Sequence, residues 1–421
     1  MDSKNSAPRL VSLDQFRGYS VAAMFVVNFL GGLAATHVLL KHNNTHFSLA
    51  DSIMPSFIFA CGFSYRMSSL KQASLAGSFR RKIFVRCIAL IALSLFLTGF
   101  NSQFGHWNDL DASKVSKFFF ELIKANMWEI LAIIGACQIF LLPWITRSFA
   151  WRLALFFGIG LLHFYLCWAF NYDFVYGRPN FLDRWLGTTG KRAWDGGLFG
   201  ILAWSQIMLV GTLAHDLLKQ SVIAKSVISL SVLGIAMMMV GYGLSCFTRL
   251  YDLEGLSEEQ VAILSSSPVI PRPLLTHRGG IGRDGVEGAI DHSSTEFQWK
   301  WAEPPFVVPP PPQVRATNYW MMDKRIVSQS FIWFSIGFVL VLYAVFVIAC
   351  DHFALRLGMF GIFGANPLAA YITNQIVNHA VLAVVPKDSP LWWALLGLAI
   401  AFGTTYLFIR FLDQQKIFLR L

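Results

Sequence analysis

Three histidines, His37, His42 and His46, fall within ten residues of one another between two apolar runs. An imidazole titrates near neutrality, so a histidine at the mouth of a cavity suits general-base or nucleophilic work. The flanking runs carry polar residues at or inside their ends: Asp14, Arg17 and Asn28 on the first, Asp51 on the second. Unpaired polar groups are costly in an apolar medium, so each of these needs a partner or a job. Asp14 and Arg17 stand three residues apart, where they can instead pair structurally on a helix surface. Zinc is the competing reading of the histidines, but no cysteine or spaced carboxylate completes a ligand set, and no metal is expected. His163, His215, His352 and His379 are scattered singly and read as packing residues.

These groups must be positioned by a helical hairpin over residues 12–62, in which each apolar run is long enough to cross a bilayer. The whole chain has the same character. Of its 421 residues 55% are apolar and only 14% charged, with a mean hydropathy of +0.53, whereas soluble domains carry about 25% charged residues. The fold class is therefore all-α, a polytopic transmembrane helical bundle. About ten spans are expected, near 18–36, 52–70, 83–100, 126–146, 151–170, 198–218, 223–245, 327–350, 357–384 and 391–411. The chain then divides into helices one to seven with the hairpin (1–245), an external irregular loop (246–326) and helices eight to ten (327–421). No cleavable signal is visible, since residues 1–8 are short and polar and the first run lacks a small-x-small site.

Orientation follows from charge. Lys and Arg concentrate in the segments that face the cytoplasm if both termini lie inside, which puts the histidine loop outside and the basic 66–86 loop within. The net charge of +10 is explained by this bias, and no basic patch interleaved with aromatics points to nucleic acid. The six cysteines lie in or beside apolar runs without CxxC spacing and read as packing residues. In the long loop, the Gly-rich piece 278–283 lacks the strand and helix a phosphate loop needs, and the proline run 309–312 breaks regular structure.

A second polar constellation lies in the ninth run, where Asn366, Asn374 and Asn378 share a helical face with Tyr371 close by. Each asparagine alone fits interhelical hydrogen bonding, and the group fits a polar tunnel. Trp194 and Asp195 precede the sixth run, and Arg81 and Arg86 lie in the basic cluster beside the third.

The hairpin itself resembles a known family. Ser12-x-Asp14-x-Phe16-Arg17-Gly18, Met24-x-x-x-Asn28, the Lys41-His42 loop and Asp51-x-x-x-Pro55-x-Phe57-x-Phe59-x-x-Gly62 together resemble the heparan-α-glucosaminide N-acetyltransferases, including bacterial members. Fainter matches are Trp194-Asp195-Gly-Gly197, Gly364-x-Asn366 with Tyr371, and Lys416-Ile-Phe418. The resemblance implies transfer of acetyl from acetyl-CoA, taken as a substrate from the cytoplasmic side, to a sugar amine on the far side, with no permanently bound cofactor. It makes Asn28 the active-site asparagine and His42 the catalytic histidine, either as acetyl carrier or as base in a ternary complex. Where relatives often carry Trp and Gly after the histidine, this chain has Asn43, Asn44, Thr45 and His46, which leaves His46 as a rival. Ala132 and Ile133 replace a frequent Gln-Arg, and Gly196 follows Asp195 in place of a frequent Glu. Arg81 and Arg86 are candidates for the CoA phosphates, which favour Arg forks. The expected partners are membrane lipid, acetyl-CoA and an amino-sugar or glycan acceptor, with a homodimer as one open assembly, in the plasma (inner) membrane. A transporter or flippase for a glycan or lipid precursor is the alternative, and paired half-helices meeting inside the membrane would favour it.

Overall fold

A computed structural model of the chain describes residues 10–71, 76–98, 104, 106–107, 110–220, 222–246, 259, 304–307 and 319–419. Most of the 246–326 loop, including its 278–283 and 309–312 pieces, lies outside these residues. The architecture is all-helical, with no strand among the described residues. Helices α1 (Val11–Leu30) and α2 (Ile53–Lys71) form the hairpin, and α3 (Ala76–Thr98) follows. Next come α4 (Ala112–Glu121), which runs into a π turn at Leu122–Asn126, and α5 (Ile130–Leu141). Helix α6 (Phe149–Leu166) passes through a second π turn into α7 (Tyr172–Tyr176), and the short α8 (Phe181–Leu186) precedes α9 (Gly197–Gln220) and α10 (Ile223–Ser245). The remainder is α11 (Gln329–Val347), α12 (Gly358–Ala365), α13 (Pro367–Leu382) and α14 (Leu391–Gln414).

Among the described residues, five helical segments are long and apolar enough to cross a membrane, or six if one bent pair counts as a span. Two of the expected straight spans are interrupted. The run at 126–146 does not form one helix: the α4 rod and α5 meet at 85° across residues 127–129, where Glu129 is extended and the Trp128 indole donates to the Ile123 carbonyl at 2.6 Å. The run at 357–384 splits at Asn366, because Pro367 has no N–H to donate and disfavours helical geometry in the residue before it.

Helices α9 and α11 form the centre, with 78% and 61% of their apolar windows buried, against 22% in the peripheral α10 and α14. Close backbone approach draws the hairpin onto this centre. A Cβ on Gly62 of α2 would sit 2.1 Å from the Met208 carbonyl oxygen of α9. Small residues at such contacts are how membrane helices gain van der Waals packing without a hydrophobic drive. The peripheral helices instead expose large apolar side chains such as Leu161, Met239 and Leu407. A surface of that kind belongs in lipid.

Candidate active site

At the C-terminal end of α1, the 31–52 loop folds back and presents His42 beside Asp51. Asp51 sits in a 3-10 turn at Ala50–Ser52 and is fully buried. One of its oxygens lies 3.0 Å from His42 Nδ1. The other accepts from the Ser48 hydroxyl at 2.7 Å and the Asn43 backbone N–H at 3.3 Å. The loop is braced further by the Asn43 side-chain amide, which donates to the Lys41 carbonyl at 2.8 Å. Phe47 anchors it from beneath, packing on Phe334 and Phe306, and the Phe306 N–H donates to the Phe47 carbonyl at 2.8 Å. With Asp51 held by these donors, Nδ1 of His42 is the nitrogen that carries the ring proton, which leaves Nε2 with its lone pair.

His42 lines a cavity of about 110 Å³ together with Asn28, Glu129, Asp195 and Lys324. Met24, Met54 and Ile130 give it an apolar wall, and Tyr371 and Gln375 close it from α13. Each polar group arrives from a different element. Asn28 comes from the last turn of α1, and Glu129 from the break between α4 and α5. Asp195 lies in the turn before α9, where three successive residues, Asp195, Gly196 and Gly197, have φ of 52°, 78° and 58°. A Cβ at Gly196 would also stand 2.5 Å from the Gly200 Cα, so glycine is what this turn admits. Burial pushes the Asp195 carboxyl above its ordinary range, against the pull of nearby Lys324 and His42.

The other sequence candidates take different places. His46 is buried, with Nδ1 3.3 Å from the Thr45 hydroxyl, and does not line the cavity. His37 caps a short turn by accepting from the Leu39 N–H at 3.3 Å. Asp14 and Arg17 pair at 3.8 Å along α1. Asn366 holds the C-terminal tail, donating to the Ile417 carbonyl at 2.9 Å and accepting from the Leu419 N–H at 3.1 Å. Asn374 and Asn378 bond each other, and of the ninth-run candidates Tyr371 is the one that reaches the cavity. Arg81 and Arg86 are exposed on α3 and do not line the cavity. Among the described residues no three of His, Cys, Asp and Glu converge as metal ligands.

Glu129, Lys324 and Gln375 are site residues that the sequence reading passed over. Glu129 carried a usable signal, being an ionisable residue at the start of an apolar run. Lys324 carried none.

A buried ionic knot lies far from this cavity. Arg66 of α2 forms a fork on Asp216 of α9 at 3.1 and 3.0 Å, and Arg152 and His215 join the same carboxylate. At 1.5 Å per residue, the nineteen positions from Gly197 to Asp216 put it about 29 Å along α9 from the Asp195 turn. Its donors are spent on Asp216, Thr212 and the Ile145 carbonyl, so it reads as a structural clamp.

No match to the chain is found among curated proteins. The profile of the catalytic part of heparan-α-glucosaminide N-acetyltransferase matches residues 9–244, a stretch that contains Asn28, His42, Asp51, Glu129 and Asp195 and ends before Lys324. That stretch is more than half of the 421 residues, and the chain therefore belongs to the heparan-α-glucosaminide N-acetyltransferase family.

Proposed function

We propose that this membrane acetyltransferase takes acetyl from acetyl-CoA and gives it to the amino group of a glucosamine-type sugar or envelope glycan. The observation that carries the reading is the His42–Asp51 pair, at 3.0 Å, facing a cavity that Asn28 also lines. The sugar amine, neutral once its ammonium proton has passed to water, attacks the thioester carbonyl through its nitrogen, and the basic Nε2 takes the proton that this nitrogen sheds as the C–N bond forms. The Asn28 amide donates to the oxyanion, and collapse breaks the C–S bond and releases CoA as thiolate. In the covalent variant Nε2 itself attacks the thioester, and the amine displaces the acetyl from the ring. Glu129 and Asp195 supply carboxylates on the same cavity, a setting that draws in a cationic amine before it loses its proton.

The ten-span topology with both termini in the cytoplasm belongs to the same proposal. It puts the cavity at the outer end of the bundle and the start of α3 at the inner end. Arg81 and Arg86 would then hold the CoA phosphates while the thioester reaches across. Replacing both by Gln should weaken CoA binding about tenfold or more, as loss of charged phosphate contacts does. Calorimetric titration of the purified variant with CoA reads this, and unchanged affinity leaves these residues a topological role only.

Purified protein incubated with radiolabelled acetyl-CoA and glucosamine tests the activity directly, with N-acetylated sugar as the expected product. Asn28→Ala should lose about 10²–10³ in kcat if its amide meets the oxyanion. A loss confined to KM would make Asn28 a binding residue instead. The 85° break beside Glu129 favours one second reading, a transporter built on a broken helix pair. That reading requires substrate flux across vesicles in a His42 variant without acetyl transfer.

A further inference from the structure

Lys324 enters the site from far along the chain, 282 residues after His42, and is nearly fully buried. Its Nζ has two partners among the described residues: His42 Nδ1 at 3.3 Å and Asp195 Oδ1 at 3.9 Å. The first cannot be a working hydrogen bond while Asp51 is in place. Nδ1 has one in-plane position, and there it donates to a carboxylate that Ser48 and Asn43 hold still. The second is longer than a hydrogen bond. The ammonium thus keeps N–H groups that no protein acceptor engages well, in a cavity also lined by His42 and Asn28.

The turn that presents Lys324 is pinned on both sides. The Asp323 carboxylate accepts from the Arg325 N–H at 2.7 Å and the Ile326 N–H at 3.4 Å, and the Tyr176 hydroxyl donates to its other oxygen. The Ser328 hydroxyl donates to the Met321 carbonyl at 2.6 Å, closing the turn. The Gly196 N–H donates to the Arg325 carbonyl at 2.7 Å, and the Arg325 guanidinium stacks 3.8 Å above the Trp194 ring. This ties the Lys324 turn to the Asp195 turn. Val327, at φ 56°, holds a left-handed conformation that a β-branched residue rarely adopts. Such strain persists only where the surroundings enforce it, and it collects at functional sites.

We propose that Lys324 is a further catalytic residue, whose ammonium binds the oxyanion of the tetrahedral intermediate together with the Asn28 amide. This rests on the acetyl-transfer function proposed above. In that step the sugar nitrogen forms the new C–N bond, and the π pair of the thioester carbonyl moves onto oxygen, where Lys324 and Asn28 hold it. The pair returns as the C–S bond breaks, the proton of the attacking amine goes to His42, and CoA leaves as thiolate. Lys324 keeps its own proton throughout.

Lys324→Met tests this, with Lys324→Arg as the conservative variant. The Met variant should lose about 10²–10³ in kcat with KM for acetyl-CoA changed little, and the Arg variant should recover most of the loss. A second donor separates charge stabilisation from structure. The electron-withdrawing acyl group of fluoroacetyl-CoA needs less help at the oxyanion, so the Met variant should lose markedly less with it. Equal losses with both donors, or a full rate with Lys324→Met, would overturn the assignment while wild-type activity upholds the proposed function. Absence of transfer by wild-type protein that binds CoA would overturn both.

Discussion

His42→Ala is expected to lower acetyl transfer by at least about 10³-fold, the scale set by losing a positioned general base, and by more if the imidazole carries acetyl. The variant should still fold, because the buried Asp51 keeps the Ser48 and Asn43 donors when the ring is gone. CoA binding by the variant reports this independently of turnover. His46→Ala should be mild, since His46 does not line the cavity. Acetyl transfer at the wild-type rate by His42→Ala would remove that residue from catalysis, and the same result for the double variant with His46 would sink the loop-histidine mechanism. Radiolabelled acetyl-CoA without acceptor then separates the two routes, since label on His42 requires a covalent step.

Asp51→Asn should be nearly as damaging, through the ring tautomer rather than the shape of the site. The Ser48 hydroxyl and Asn43 N–H both donate to one oxygen of Asp51, so the amide oxygen of an asparagine must turn to meet them. Its NH₂ group then faces His42 Nδ1, forcing that nitrogen to accept and moving the ring proton to Nε2, where the lone pair was needed. The same exchange in a serine–histidine–aspartate triad costs about 10⁴ in kcat, and a loss of about 10²–10⁴ is expected here. KM for acetyl-CoA should change little. Nitrogen-15 shifts of the labelled imidazole would show the tautomer directly. Wild-type kcat in Asp51→Asn, or an unchanged tautomer, would argue that Asp51 only braces the loop.

How far the sequence alone carried the description depends on whether the interaction was local. The membrane class followed from apolar content, which acts through mean hydropathy and needs no tertiary knowledge. Asn28, His42 and Asp51 were legible because one hairpin brings them together over a short stretch of chain, so their spacing survives folding. The breaks were harder. Pro367 marks a stop in any apolar run, yet the 85° turn beside Glu129 has no proline and depends on Trp128 finding the Ile123 carbonyl.

Partner choice among the polar residues was decided only by the tertiary structure. Asn366, Asn374 and Asn378 share a face in sequence, but the chain end takes Asn366 while the other two satisfy each other, so of that group Tyr371 alone reaches the cavity. Lys324 shows the limit most plainly, since in sequence it is one more cation at the end of a long loop. Its place 3.3 Å from His42 comes from the fastening of two left-handed turns by the Gly196 to Arg325 hydrogen bond. Contacts between groups hundreds of residues apart are set by how helices pack, and that packing leaves no local pattern to read.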